Sequence, residues 1–279
     1  MLEGYSYGWF NDDLHYKYVR FLLKDLSHSE TEYLSFLRDG LDTQTSHVFT
    51  FLDLHYSELN DLDTLDEWLH HYEDSWLEMV LITLMNQVLD ANKEYITNFY
   101  NQGSNLAYSH MGKDKLFLGS DRKALDNLIS YTNGVVESIN SEYRNGLVNK
   151  IGEHIENDSL DSLRQELLTL NTTPLKTPFS VDTRCIFATK TEYARSVNTG
   201  LLQGYSNFGV DQYDWVTSGL PNTCKKCLEL ENNSPYTINE IMEYACPHPN
   251  CVCSFKARLP KVLYLSDNPS VVDLTPKIV

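Results

Sequence analysis

Positive charge is scarce in this sequence, and long apolar runs are missing. The 279 residues hold 22 Lys+Arg against 39 Asp+Glu, a formal net charge of −17. The longest apolar-rich run, Met79 to Met85 with Thr83 inside it, is far too short to cross a bilayer, so no membrane contact is expected. The start, MLEGYSYGWF, has no basic segment followed by an apolar one, and synthesis in a reducing cytoplasm is expected. There is no phosphate loop, nucleophile elbow, HExxH or dinucleotide glycine motif, no repeat of useful period and no low-complexity tract. No catalytic residue can be assigned from such motifs. An apolar content of 42% is enough for a core and excludes a disordered chain.

The charge is unevenly placed. Residues 181–279 carry 9 Lys+Arg and 10 Asp+Glu, a net of −1, which leaves 13 against 29, a net of −16, for the first 180. Such an acidic half repels phosphate and excludes a general DNA-coating role. It is either a solvated surface or a face that docks on a basic protein.

Apolar spacing places helices along most of the chain. One is expected over 5–26. A second begins at the Ser29/Glu32 capping box and stops at Gly40. The strongest runs over 64–101, with Trp68, Tyr72 and Trp76 as an aromatic core stripe and Gly103 as its stop. A loop follows over 103–120. A second long helix starts near Ser120-Asp121 and runs to Ile155, and Asn157-Asp158-Ser159 caps a short helix bearing Leu160, Leu163 and Leu167. The stretch 171–180, NTTPLKTPFS, reads as a connector. Beyond it come a helix from Ile186 to Phe208 stopped by Gly209, a strand over 210–217, a helical turn over 238–242 and a strand from Cys251 to Leu259. The expected fold is therefore mainly α, an acidic N-terminal region of long amphipathic helices with a small α+β zinc-stabilised C-terminal module. The domains follow as 1–175, 181–260 and an extended arm over 261–279.

Five of the six cysteines fall between Cys224 and Cys253, with His248 among them. Cys224 and Cys227 are spaced to share one ion, and His248 and Cys251 repeat that spacing. Three thiolates and one imidazole suit a structural zinc, one per chain. Cys253 lies on the same strand face as Cys251 and competes for the fourth position, with Cys246 a weaker competitor. The bland alternatives are a disulfide scaffold, a redox CxxC and a Cys–His nucleophile. The low cysteine density, the Lys225-Lys226 pair inside the motif and the lack of an assignable orienting Asn or Asp weigh against each in turn.

The order of features from about 185 to 258 resembles the phage Mu F-like head morphogenesis family, also called minor capsid or minor head proteins. That family's T-E-x-x-R-x-x-N-x-G helix is matched by Thr191, Glu192, Arg195, Asn198 and Gly200. Tyr205, Gly209 and Val210 follow, then the Trp215 strand, Thr223 to Cys227, and His248 to Cys253. This chain departs from the pattern in having Leu220-Pro221-Asn222 before the first cysteine pair, and in carrying Cys246. The resemblance implies a virion protein made in the host cytoplasm and placed in the phage head near the portal. It implies binding to the portal protein, with the major capsid or scaffolding protein as further partners, and no enzymatic activity. Glu192, Arg195, Asn198 and Trp215 are then structural or partner contacts. Two other readings stay open: a metal-dependent nuclease using His248 as base, and a DNA-binding zinc module in which Lys225, Lys226, Lys256, Arg258 and Lys261 touch packaged DNA weakly.

Overall fold

A computed structural model describes residues 12–56, 76–111, 122–155, 159–175, 178–219, 221 and 223–258, with only the backbone for 12–27, 76–84 and 155. Trp68, Tyr72 and the side chain of Trp76 from the aromatic stripe, the helix start at 64, Lys261 and the 261–279 arm lie outside what is described. The chain is mainly helical, with a small three-stranded sheet near its C-terminus. In order come α1 (Asp12–His55), α2 (Trp76–His110), α3 (Arg122–Ile155), α4 (Leu160–Thr169), α5 (Val181–Ser206), β1 (Gln212–Val216), α6 (Lys225–Asn232), β2 (Tyr236–Thr237), α7 (Ile238–Met242) and β3 (Ser254–Ala257). Among the described residues, no helix is long and apolar enough to cross a membrane.

Two compact units interleave along the chain. One comprises Thr31–Thr97 and Leu125–Glu192; the other comprises Met1–Glu30, Asn98–Ala124 and Tyr193–Val279. The unit boundaries fall inside helices, so sequence character and compactness divide the chain differently.

The first unit is helical in its described parts. Its core is Tyr33, Leu37, Leu41, Val48, Phe51 and Leu52 of α1, Val88 and Ile96 of α2, Val136, Ile139, Tyr143, Leu147 and Ile151 of α3, and Leu163 and Leu167 of α4. Polar side chains lie inside this core. Gln44 donates to Asn140 Oδ1 at 2.5 Å, and Asn140 in turn donates to Val136 O at 3.0 Å. Thr45 bonds Tyr143, and Tyr33 donates to Asn92, whose amide reaches Asn133 Oδ1 at 2.7 Å. Burial pushes the Tyr33 phenol above its ordinary range, and the nearby Glu192 carboxylate adds to the shift. At the rim, Arg38 forks onto Asp182 at 2.5 and 2.9 Å, and Arg184 pairs with Glu142.

The expected break at Gly40 does not occur, since α1 passes through it. A side chain there would meet Val88 at 3.1 Å, so the glycine admits a neighbouring helix instead of ending its own. Thr43, Thr45, Ser46 and Thr50 each bond the carbonyl four residues back, which keeps these cap-prone residues inside the helix. α1 continues without a break through 44–55. The short helix α4 is capped as expected by Ser159, which accepts from Ser162 N.

The second unit holds the sheet, ordered β2-β1-β3 with both pairings antiparallel. Trp215 pairs with Phe255 and Tyr213 with Ala257, and all four point into a core shared with Leu201, Leu202, Tyr205, Leu230 and Ile241. The expected stop at Gly103 is also overturned, since α2 runs on to His110 and takes up part of the expected loop. The reason is a helix crossing. A side chain at Gly103 would overlap the backbone of Val197, one at Gly200 the backbone of Tyr100, and one at Gly204 the Cβ of Ala107. These three glycines let α2 and α5 touch backbone to backbone. Gly209, at φ +71, does end α5 in the left-handed conformation expected of it.

Candidate metal centre

Local rules on three elements position the cysteines. Cys224 is the N-cap of α6, extended at φ −74 and ψ 156, and its sulfur accepts from Cys227 N at 3.4 Å. The first pair therefore opens a helix, which places both sulfurs at its N-terminal end, where the helix dipole favours anions. The sequence places this pair at a turn and does not reveal α6. The signal was present in Cys227 and Leu230, three apart and both buried. The second pair is brought round by a turn in which Cys251 N bonds His248 O at 3.2 Å and Asn250 takes φ 61, a conformation that asparagine tolerates. From Cys251 to Ala257 burial alternates, so Cys251, Cys253, Phe255 and Ala257 share one face.

These elements bring five donors together. Cys224 Sγ, Cys227 Sγ and a His248 nitrogen lie within 4.8 Å of one another, and so do the sulfurs of Cys227, Cys251 and Cys253. Cys227 belongs to both groups. His248 Nε2 is 3.1 Å from Cys224 Sγ and 3.3 Å from Cys227 Sγ, and Cys227 Sγ is 3.6 Å from Cys251 Sγ. A tetrahedral zinc with bonds of about 2.3 Å to sulfur and 2.0 Å to nitrogen has edges of about 3.5–3.8 Å, so the three edges named here are each close to those of such an ion. The His248 Nδ1–H donates to Pro249 O at 2.8 Å, which leaves Nε2 as the ligating nitrogen.

The thiols perturb one another. Burial raises the Cys227 thiol, and a hydrogen bond to Cys253 raises that of Cys251. The same bond from Cys251, joined by one from the Ser218 backbone, lowers Cys253 to about 6 against its own burial. A divalent cation bound here would take the place of thiol protons. None of the six cysteines is in a disulfide. Cys246 donates to His248 O at 3.5 Å, turning its sulfur to a backbone carbonyl.

Asn198 holds the cluster to α5. Its amide donates to Ala245 O at 2.7 Å and Cys253 O at 3.1 Å, and its Oδ1 accepts from Ser254 at 2.7 Å. The other flagged positions have different surroundings. Glu192 is buried in the helical unit, where Thr132 donates to it at 2.9 Å. Arg195 is half-buried, and its carbonyl accepts from Thr199 at 2.8 Å. Trp215 is a core residue at 1% exposure, which takes it out of any direct partner contact. Two further residues contribute: Ser218, whose backbone N–H donates to Cys253 Sγ at 3.4 Å, and Glu231, whose carboxylate accepts from the Thr217 backbone N–H and hydroxyl at 3.0 Å.

The surroundings bear on the two enzyme-like and nucleic-acid readings. Both His248 ring nitrogens are engaged within the cluster, Nε2 with the thiols and Nδ1 with Pro249 O. Of the basic set, Arg258 is paired with Asp214 at 2.5 Å, Lys225 with Glu229 at 3.7 Å, and Lys226 reaches Pro247 O at 3.4 Å. Compared with protein-family models, curated proteins and solved structures, the chain matches none.

Proposed function

We propose that this chain is a minor structural protein of a tailed-phage head, acting in head morphogenesis at or near the portal vertex, with one structural zinc per chain and no enzymatic activity. Its partners in this reading are the portal protein and the major capsid or scaffolding protein, with at most weak contact with packaged DNA. The observation that supports it best is the ordered run of motif residues from Thr191 to Cys253, together with the work those residues do. Asn198 ties α5 to the backbone of the second cysteine pair, Gly200 lets α5 cross α2, and Tyr205 and Trp215 fill the core above the donors. Those from Arg195 onward lie in one compact unit, which gives them a reason to occur together and in order.

The zinc reading rests on the donor chemistry. Soft thiolates with one imidazole, two of the thiols buried and Cys224 and His248 half-buried at the end of a helix, are the donors a structural zinc prefers. Bound there, the ion would join α6 to the strand leading into β3, a service that small modules of this kind depend on for folding. Mass spectrometry of purified phage heads tests the assignment. The chain should be found in a few copies per particle, and particles made without it should fail in assembly or packaging. Its absence from assembled heads would sink the proposal.

A further inference from the structure

Two groups of three donors share Cys227, five donors in all where a tetrahedral ion takes four. We propose that the ion is held by Cys224, Cys227, His248 and Cys251, and that Cys253 is a reserve ligand able to take the fourth position when Cys251 is lost. This rests on the zinc reading above and deepens it.

The geometry carries the assignment. Cys224, Cys227 and His248 form three corners, anchored by the start of α6 and by the His248 turn. For the fourth corner, Cys251 Sγ already stands 3.6 Å from Cys227 Sγ, close to the edge of about 3.8 Å between two sulfurs on zinc. Cys251 is also joined to His248 by its backbone N–H at 3.2 Å, so these two ligands move as one turn. Cys253 lies two residues further along the same extended run, on the same buried face, with its sulfur also within 4.8 Å of those of Cys227 and Cys251. It differs from Cys251 in its restraints. The Ser218 N–H holds its sulfur at 3.4 Å, and Asn198 holds its carbonyl at 3.1 Å. Cys253 is thus parked beside the ion on a backbone donor.

The test is a cobalt(II) titration of the full chain, read by the sulfur-to-metal charge-transfer band, whose intensity scales with the number of thiolates. Wild type should bind one cobalt through three thiolates. Cys253→Ser should match it in stoichiometry and band intensity. Cys251→Ser should still bind one cobalt with three-thiolate intensity, its affinity reduced by about tenfold. The Cys251→Ser/Cys253→Ser double variant should fall to two-thiolate intensity and lose more than about a hundredfold in affinity. A Cys251→Ser chain that comes out metal-free, folded or not, overturns the reserve role. A Cys253→Ser chain that loses a thiolate from its band overturns the ranking of the two ligands. Both failures leave the metal reading intact. Wild type that takes up no cobalt removes the metal reading itself, and this inference with it.

Discussion

The two units keep their helices in register by different means. In the sheet-bearing unit, α2 and α5 meet through glycines with nothing between their backbones, and the chain beyond is gathered on sulfur and imidazole. In the helical unit, side chains keep the helices apart and the register is set by buried hydrogen bonds, Gln44 to Asn140 and Tyr33 through Asn92 to Asn133. The first device is steric and tolerates almost no substitution. The second is polar, and it makes a slipped register costly because buried polar groups would lose their partners. Glycine and polar residues, which sequence reading assigns to breaks and surfaces, are here the residues that specify packing.

The largest expected effect lies at the shared donor. Cys227→Ser should abolish metal binding and unfold the C-terminal module, while the helical unit keeps most of its far-UV signal. Near-UV circular dichroism, which reports Trp215 and its aromatic neighbours, separates the two. If both units melt together, the contrast drawn between them is wrong. Gly200→Ala comes next. The added methyl overlaps Tyr100 backbone, and a cost of about 3 kcal/mol or more is expected, a fall in melting temperature of about 6–12 °C. An unchanged melting temperature would mean that α2 and α5 are not in backbone contact.

Asn198→Ala leaves two carbonyls and the Ser254 hydroxyl without this partner, at a cost of about 2–3 kcal/mol. It should also slow metal uptake, since the second cysteine pair loses its tether. In the helical unit, Gln44→Leu and Asn140→Leu should each cost about 1–3 kcal/mol, whereas the double replacement should cost less than their sum. Additivity in that cycle, read from denaturant midpoints, would remove the polar pair as a register device. The smallest effect is at Lys225, which is exposed and paired along its own helix. Lys225→Ala should stay within about 0.5 kcal/mol of wild type.

Much of this was legible in the sequence, and the misses have a common cause. The start of α3, the cap at Ser159 and the end of α5 at Gly209 were readable because each depends on neighbours in sequence. The Cys/His cluster was readable because close spacing in the chain limits how far apart these side chains can lie. Gly40 and Gly103 were misread as stops because their role is set by helices distant in sequence. The α6 helix was missed because a cysteine served as its cap, and Ser218 because a backbone N–H leaves no trace in the residue type. Glu192, Arg195 and Asn198 were read together as structural or partner contacts, and the structure shows Asn198 reaching the module's backbone at Ala245 and Cys253.

The most direct test of the central claim is the metal content of the full chain, purified without added metal and measured by elemental analysis beside a sample treated with chelator. One zinc per chain is expected, with loss of the near-UV signal when the ion is stripped and its return when zinc is restored. A chain that keeps its full near-UV signal with no bound metal would contradict the account, because the five donors would then be packed by the fold alone.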